Sequence, residues 1–104
     1  MRAALTLALA VALAAFAASS IAQAPIEQGQ RDFMSNGCYG CHTVGKVGTP
    51  IGPDLSRVGS KYSRAYLERW LRDPSAQRPS AHMPALELSD NQVKAMAAFL
   101  SSLR

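Results

Sequence analysis

The sequence predicts an all-α domain, three to four short helices and long loops wrapped around one bound cofactor, and three observations predict it. Apolar residues recur at helical spacing in three segments of the 104-residue chain, around 26–36, 63–72 and 89–103. Beyond the amino-terminal segment, runs of β-branched residues in period two are almost missing. The connecting segments are long and rich in Gly and Pro, and loops of that length are uncommon in a compact domain unless they serve a function that orders them.

The amino terminus reads as an export signal. Arg2 supplies a positive start, Ala3 to Ala18 is a nearly unbroken apolar run, and Ala22-Gln23-Ala24 has the small-x-small form of a cleavage site. Cleavage after Ala24 is expected, dividing the chain into a signal peptide, residues 1–24, and a domain, residues 25–104. The apolar run is shorter than the roughly 20 residues that cross a bilayer, with retention as an anchor the alternative. No later segment is apolar enough to span a membrane. Removing Arg2 from the 11 Lys and Arg leaves 10 against 7 Asp and Glu, a formal charge of +3. That mild excess lacks the lysine-rich block or basic-aromatic stripe of a nucleic-acid binder, and fits steering toward acidic patches on protein partners. The remaining 80 residues form a domain whose apolar core alone supplies modest stability, a gap that a buried cofactor would fill.

The first helix is expected over Ile26–Asn36, with Ile26, Phe33 and Met34 on one apolar side and Asn36-Gly37 closing it. Gly29 inside it has two readings: close approach of another helix, or a frayed first turn. Cys38-Tyr39-Gly40-Cys41-His42 follows, the attachment signature of c-type haem. Residues three apart on a helical turn share a face, so both thiols can reach the vinyl groups on one porphyrin edge while His42 offers a ring nitrogen to iron. Two other uses of the cysteine pair fit less well. A thioredoxin-like motif belongs with alternating strands and helices, and zinc would need four ligands where only His82 remains to join the motif.

Thr43 to Gly59, punctuated by Gly45, Gly48, Pro50, Gly52 and Pro53, is expected to be irregular loop. Ser63 caps a second helix carrying Tyr66, Leu67, Trp70 and Leu71 on one side, and Asp73-Pro74 stops it. Ser75 to Leu88 is expected as loop again. Ser89 and Gln92 form a capping box for a last helix in which Val93, Met96, Ala97, Leu100 and Leu103 recur at helical spacing.

In the order of these features the chain resembles the class I c-type cytochromes, small bacterial monohaem members in particular. The likeness rests on Gly29 and Phe33, the Cys38–His42 motif, Gly52-Pro53-Asp54-Leu55, Met83-Pro84 and Phe99. It implies one covalently attached haem c inside the helices, with the first and last helices crossing at Gly29 and Phe99. It implies that the Pro53 carbonyl accepts a hydrogen bond from the His42 ring and that Leu55 packs on the porphyrin. Met83 is expected as the sixth iron ligand, its soft thioether favouring ferrous iron. Its neighbour His82 is the rival donor, and simple gap filling is the other reading of Met83. Met34 and Met96 are assigned to the core. Tyr62 and Trp70, each a large apolar body with one polar tip, are candidate donors to the haem propionates, ordinary core packing being the other reading of Trp70. Lys61 or Arg57 would neutralise those acids.

The function expected is that of a soluble periplasmic single-electron carrier rather than an enzyme, because two occupied axial positions leave no open site on the metal. Its partners would be redox donors and acceptors with acidic docking patches, met by a basic rim of Lys46, Arg57, Lys61 and Arg78 through a small, weak interface. Neither nucleic acid nor, after signal cleavage, a membrane span is expected. Two alternatives stand beside this: a cytochrome subunit of a stable larger enzyme, and a gas-binding or weakly peroxidatic haem protein if Met83 detaches.

Overall fold

The computed structural model describes residues 24–104, so the expected signal peptide, apart from Ala24, lies outside the described residues. Helix α1 occupies residues 24–35 and helix α5 spans Asp90–Ser102. Between them lie a 3₁₀ turn at Cys38–Gly40, a two-stranded hairpin of β1 (Thr43–Val44) and β2 (Val47–Gly48), and helices α2 (Val58–Lys61), α3 (Arg64–Arg72) and α4 (Pro74–Gln77). The class is all-α as expected, with α2 and α4 each a single turn.

Helices α1 and α5 meet at Gly29. A β-carbon there would overlap the Ala95 carbonyl and come within 2.8 Å of Phe99 Cβ, so the glycine marks close approach and not fraying. Beside the contact, Phe33 packs edge-on against Phe99 at 5.6 Å and against Tyr39 at 4.8 Å between ring centroids. Phe33 therefore ties the helix crossing to the cysteine motif. Met34 departs from its expected core position and is 63% exposed. One residue beyond buried Phe33, it is turned about 100° round the helix, away from the face that Gly29 and Phe33 define. Met96 does lie in the core as expected, at 0% exposure.

Helix α3 lays Leu67 and Leu71 into the cluster formed with Val93, Met96 and Leu100 of α5. Its start is fixed by Ser63, whose hydroxyl accepts the Tyr66 N–H, and α5 starts at the expected capping box, Ser89 Oγ accepting from Gln92 N and Gln92 Oε1 from Ser89 N. Arg72 of α3 pairs with Asp90 at the start of α5. Helix α2 docks on the far end of α5 through Gly59 N–H to the Leu103 carbonyl at 2.7 Å.

Two segments expected as plain loop contain structure. Residues Thr43–Gly48 form the hairpin, pairing Thr43 with Gly48 and Val44 with Val47. Positive φ at Gly45, with Lys46 in the ordinary region, is the pattern of a type II′ turn. Asp73-Pro74, expected only to end α3, also starts α4. The proline sits in its first turn and the Asp73 carboxylate accepts the Ala76 N–H.

Candidate functional site

The 3₁₀ turn after α1 presents the cysteine pair. Hydrogen bonds from Gly40 N to Gly37 O, Cys41 N to Cys38 O and His42 N to Cys38 O wind the chain at three to four residues per turn. At that pitch residues three apart stand nearly one above the other, so Cys38 and Cys41 share a side. Cys38 is partly buried against the core and Cys41 is exposed. Burial pushes the Cys38 thiol up, its own backbone hydrogen bond opposing and the neighbouring Cys41 adding to the rise.

His42 is held by the loop that follows. Its Nδ1 lies 2.7 Å from the Pro53 carbonyl oxygen. A carbonyl can only accept, so the proton sits on Nδ1 and the lone pair of Nε2 is left for another partner. A β-carbon on Gly52 would come within 2.8 Å of His42 Cε1 and 3.1 Å of Nδ1, so only glycine lets the backbone pass flat against the ring. Next to Pro53, Asp54 accepts hydrogen bonds from the Thr43 and Ser56 hydroxyls, which hold its carboxyl below the usual carboxylate range.

The opposite wall is built by α3 and the strap that follows α4. Trp70 Nε1 donates to the Met83 sulfur at 3.2 Å. The indole N–H thus meets the thioether, where the sequence points it toward a propionate or plain core packing. The cause is tertiary: Leu67 and Leu71 bury the neighbouring face of α3 and turn Trp70 toward the strap. Tyr66 stacks on Trp70 at 6.4 Å and Tyr62 on Tyr66 at 4.7 Å, with the Arg69 guanidinium 5.8 Å over Tyr66. Helical spacing alone assigns Tyr66 to an apolar helix side, yet its separation of four from both Tyr62 and Trp70 is the signal of a continuous aromatic wall.

A cavity of about 540 Å³ lies between these walls, within the range of roughly 300–1,000 Å³ usual for cofactor pockets. Cys38, Cys41 and His42 line it together with Met83, Trp70 and Tyr62, as do Pro53 and Leu55. The two thiols, His42 and Met83 also border a second hollow of about 220 Å³. Of the four cations expected at the rim, Lys61 and Arg78 reach the cavity, whereas Lys46 and Arg57 are not among its lining residues. His82 lines the cavity too but is exposed, while Met83 is half-buried. Among the described residues no three His, Cys, Asp or Glu side chains gather as a metal cluster. Two cysteines on one side of an apolar hollow, followed by an imidazole whose Nε2 is unengaged, fit the covalent attachment of haem c.

The family model for cytochrome c matches residues 26–104. The chain belongs to the cytochrome c family. A cytochrome c domain binds covalently attached haem c, for which Cys38 and Cys41 supply the attachment motif, and such a domain implies haem-based electron transfer. The chain is similar to cytochrome c oxidase subunit 2 of Alkalihalophilus pseudofirmus, 36% identical over 86 residues that cover 74% of this chain and 25% of that protein. It is also similar to a nitric oxide reductase subunit of Stutzerimonas stutzeri, 30% identical over 72% of this chain and 56% of that one, and to its counterpart in Halomonas halodenitrificans, 28% identical over 69% and 54%. The cytochrome thus spans a quarter to about half the length of these relatives. No helix among the described residues is long and apolar enough to cross a membrane.

Proposed function

We propose that this cytochrome c is an exported one-electron carrier in which Cys38 and Cys41 would bond the haem and His42 and Met83 would ligate its iron. The observation that carries this reading is the His42–Pro53 hydrogen bond, which leaves Nε2 as the free donor in a cavity that Met83 also lines. When bound, the haem supplies the ferrous–ferric couple of its iron. The chain does the rest by holding atoms still. Pro53 fixes the tautomer of His42 and strengthens it as a donor. Trp70 holds the Met83 sulfur in place and, by donating to it, lowers its electron density. Leu55, Tyr62 and Trp70 exclude water from the faces of the cavity, while exposed Cys41 marks the edge at which a partner docks. Lys61 and Arg78 at the cavity mouth serve as counter-charges for the haem carboxylates.

The test is Met83→Ala. The reading requires that the parent, once reduced, resist carbon monoxide at neutral pH, that the variant bind it, and that the spectrum and potential of the variant depart from those of the parent. Identical spectra and potentials would remove Met83 as a ligand. Export and cleavage after Ala24 are checked by the mass of the secreted protein.

A second reading is favoured by the relatives, each of which is named as a subunit of an oxidase or a reductase. Here the cytochrome passes electrons within a stable larger enzyme. Co-purification with a larger chain under mild conditions supports this, and isolation as a free monomer supports the carrier.

A further inference from the structure

The segment that follows His42 and the segment that follows Pro53 are joined in a single register. Residues eleven apart meet three times, each at 2.7 Å: His42 Nδ1 donates to the Pro53 carbonyl, Thr43 Oγ1 to Asp54 Oδ1, and Gly45 N to Ser56 Oγ. Ser56 in turn donates to the same Asp54 oxygen at 2.8 Å, and Leu55 N–H donates to the Thr43 carbonyl at 2.8 Å. One carboxylate oxygen therefore anchors the residue next to His42 and the hydroxyl that receives Gly45. The Pro53 carbonyl and the Asp54 nitrogen lie in one rigid peptide plane. The proline ring fixes φ of Pro53, which leaves ψ of Pro53 and φ of Asp54 to orient that plane, and Asp54 is held through its side chain.

We propose that Asp54 is a positioning residue for His42: by clamping the Pro53–Asp54 peptide plane it sets the direction of the carbonyl that His42 Nδ1–H binds, and so the orientation and donor strength of the imidazole. A charged acceptor suits this role, since hydrogen bonds to carboxylates are shorter and stronger than neutral ones. The inference builds on His42 as an iron ligand for its consequence, but the clamp itself concerns only the ring N–H and its acceptor.

The experiment measures the exchange lifetime of the His42 ring Nδ1–H by NMR in the reduced, haem-loaded protein. Asp54→Ala shortens it about tenfold, and Thr43→Val, which leaves the carboxylate charge intact, shortens it about threefold, as expected for losing hydrogen bonds of ordinary strength. Asp54→Asn, which keeps an acceptor oxygen without the charge, lies closer to the parent than Asp54→Ala. The clamp is overturned if Thr43→Val leaves the lifetime unchanged while Asp54→Asn and Asp54→Ala shift it equally, because charge alone would then account for the effect. It is equally overturned if no variant moves the lifetime. Should Asp54→Ala fail to assemble, Thr43→Val and Ser56→Ala decide. The parent spectrum tests ligation separately: ring protons without the large porphyrin-induced shift would refute His42 as a ligand, and the lifetimes would still report on the clamp.

Discussion

Replacing Gly29 by alanine tests the helix crossing on which the cysteine motif is seated. The added methyl would overlap the Ala95 carbonyl and sit 2.8 Å from Phe99 Cβ, so the crossing must open by roughly an ångström to restore the 3.5–4.0 Å of ordinary carbon contact. Neither obstacle is a flexible side-chain tip: one is helix backbone and the other is the root of a buried ring. Opening also loosens the Phe33–Phe99 and Phe33–Tyr39 contacts, of which the second reaches the haem-attachment turn. Overpacking of this kind costs about 1–3 kcal/mol, and the backbone obstacle places this case at the upper end. Alanine recovers about 0.5–1 kcal/mol of helix stability over glycine, so the net loss is about 2 kcal/mol. In a domain of this size that lowers the midpoint of thermal unfolding by roughly 8–16 °C. Calorimetry of the haem-loaded protein measures it, with Gly40→Ala as the control, since a β-carbon at Gly40 meets nothing within 4 Å and its φ is not positive. An unchanged or raised midpoint for Gly29→Ala would refute the close-approach argument.

Three further outcomes follow from the same geometry. Trp70→Phe removes the donor to the Met83 sulfur and should lower the reduction potential by up to about 60 mV, the one-electron equivalent of a hydrogen bond worth about 1.4 kcal/mol; spectroelectrochemistry reads it, and an unmoved potential sinks the role given to Trp70. Ser89→Ala breaks the capping box of α5 and should cost about 1 kcal/mol in denaturant unfolding, with Ser89→Gly losing less. The Asp90 carboxyl is held below the usual range by the hydrogen bond from Arg72 and then by that guanidinium's charge. A group with a depressed folded value stabilises the fold above the unfolded carboxylate value of about 3.9, and that contribution disappears as pH falls through the folded value. Parent and Asp90→Asn should therefore differ at neutral pH and converge in acid unfolding curves, and a gap that persists at the acid end would contradict the pairing.

What is legible in the sequence has either a periodicity or a fixed local chemistry. Val93, Met96, Ala97 and Leu100 repeat over enough turns to define a buried face, and Ser89 with Gln92 marks the start of α5 whatever packs around it. The cysteine motif and its histidine are a covalent requirement and are read directly. The hairpin at Thr43–Gly48 and the single turns α2 and α4 are too short for any repeat to register, and Met34 escapes its expected place because one residue decides between two faces of α1. The clasp among Thr43, Asp54 and Ser56 uses side chains that are ordinary on any surface, and only the fold brings them into register. The strap carrying His82 and Met83 poses the same difficulty in sharper form. With no helix or strand to impose alternation, its sequence does not say which of the two turns inward. That orientation comes from α3: packing of Leu67 and Leu71 on α5 aims the Trp70 N–H across the cavity, and a thioether on the strap is the acceptor it finds. The half-buried sulfur thus meets a donor thirteen residues upstream, a tertiary contact that the strap's own sequence does not encode, while in the sequence only the resemblance at Met83-Pro84 singles Met83 out from the exposed imidazole beside it.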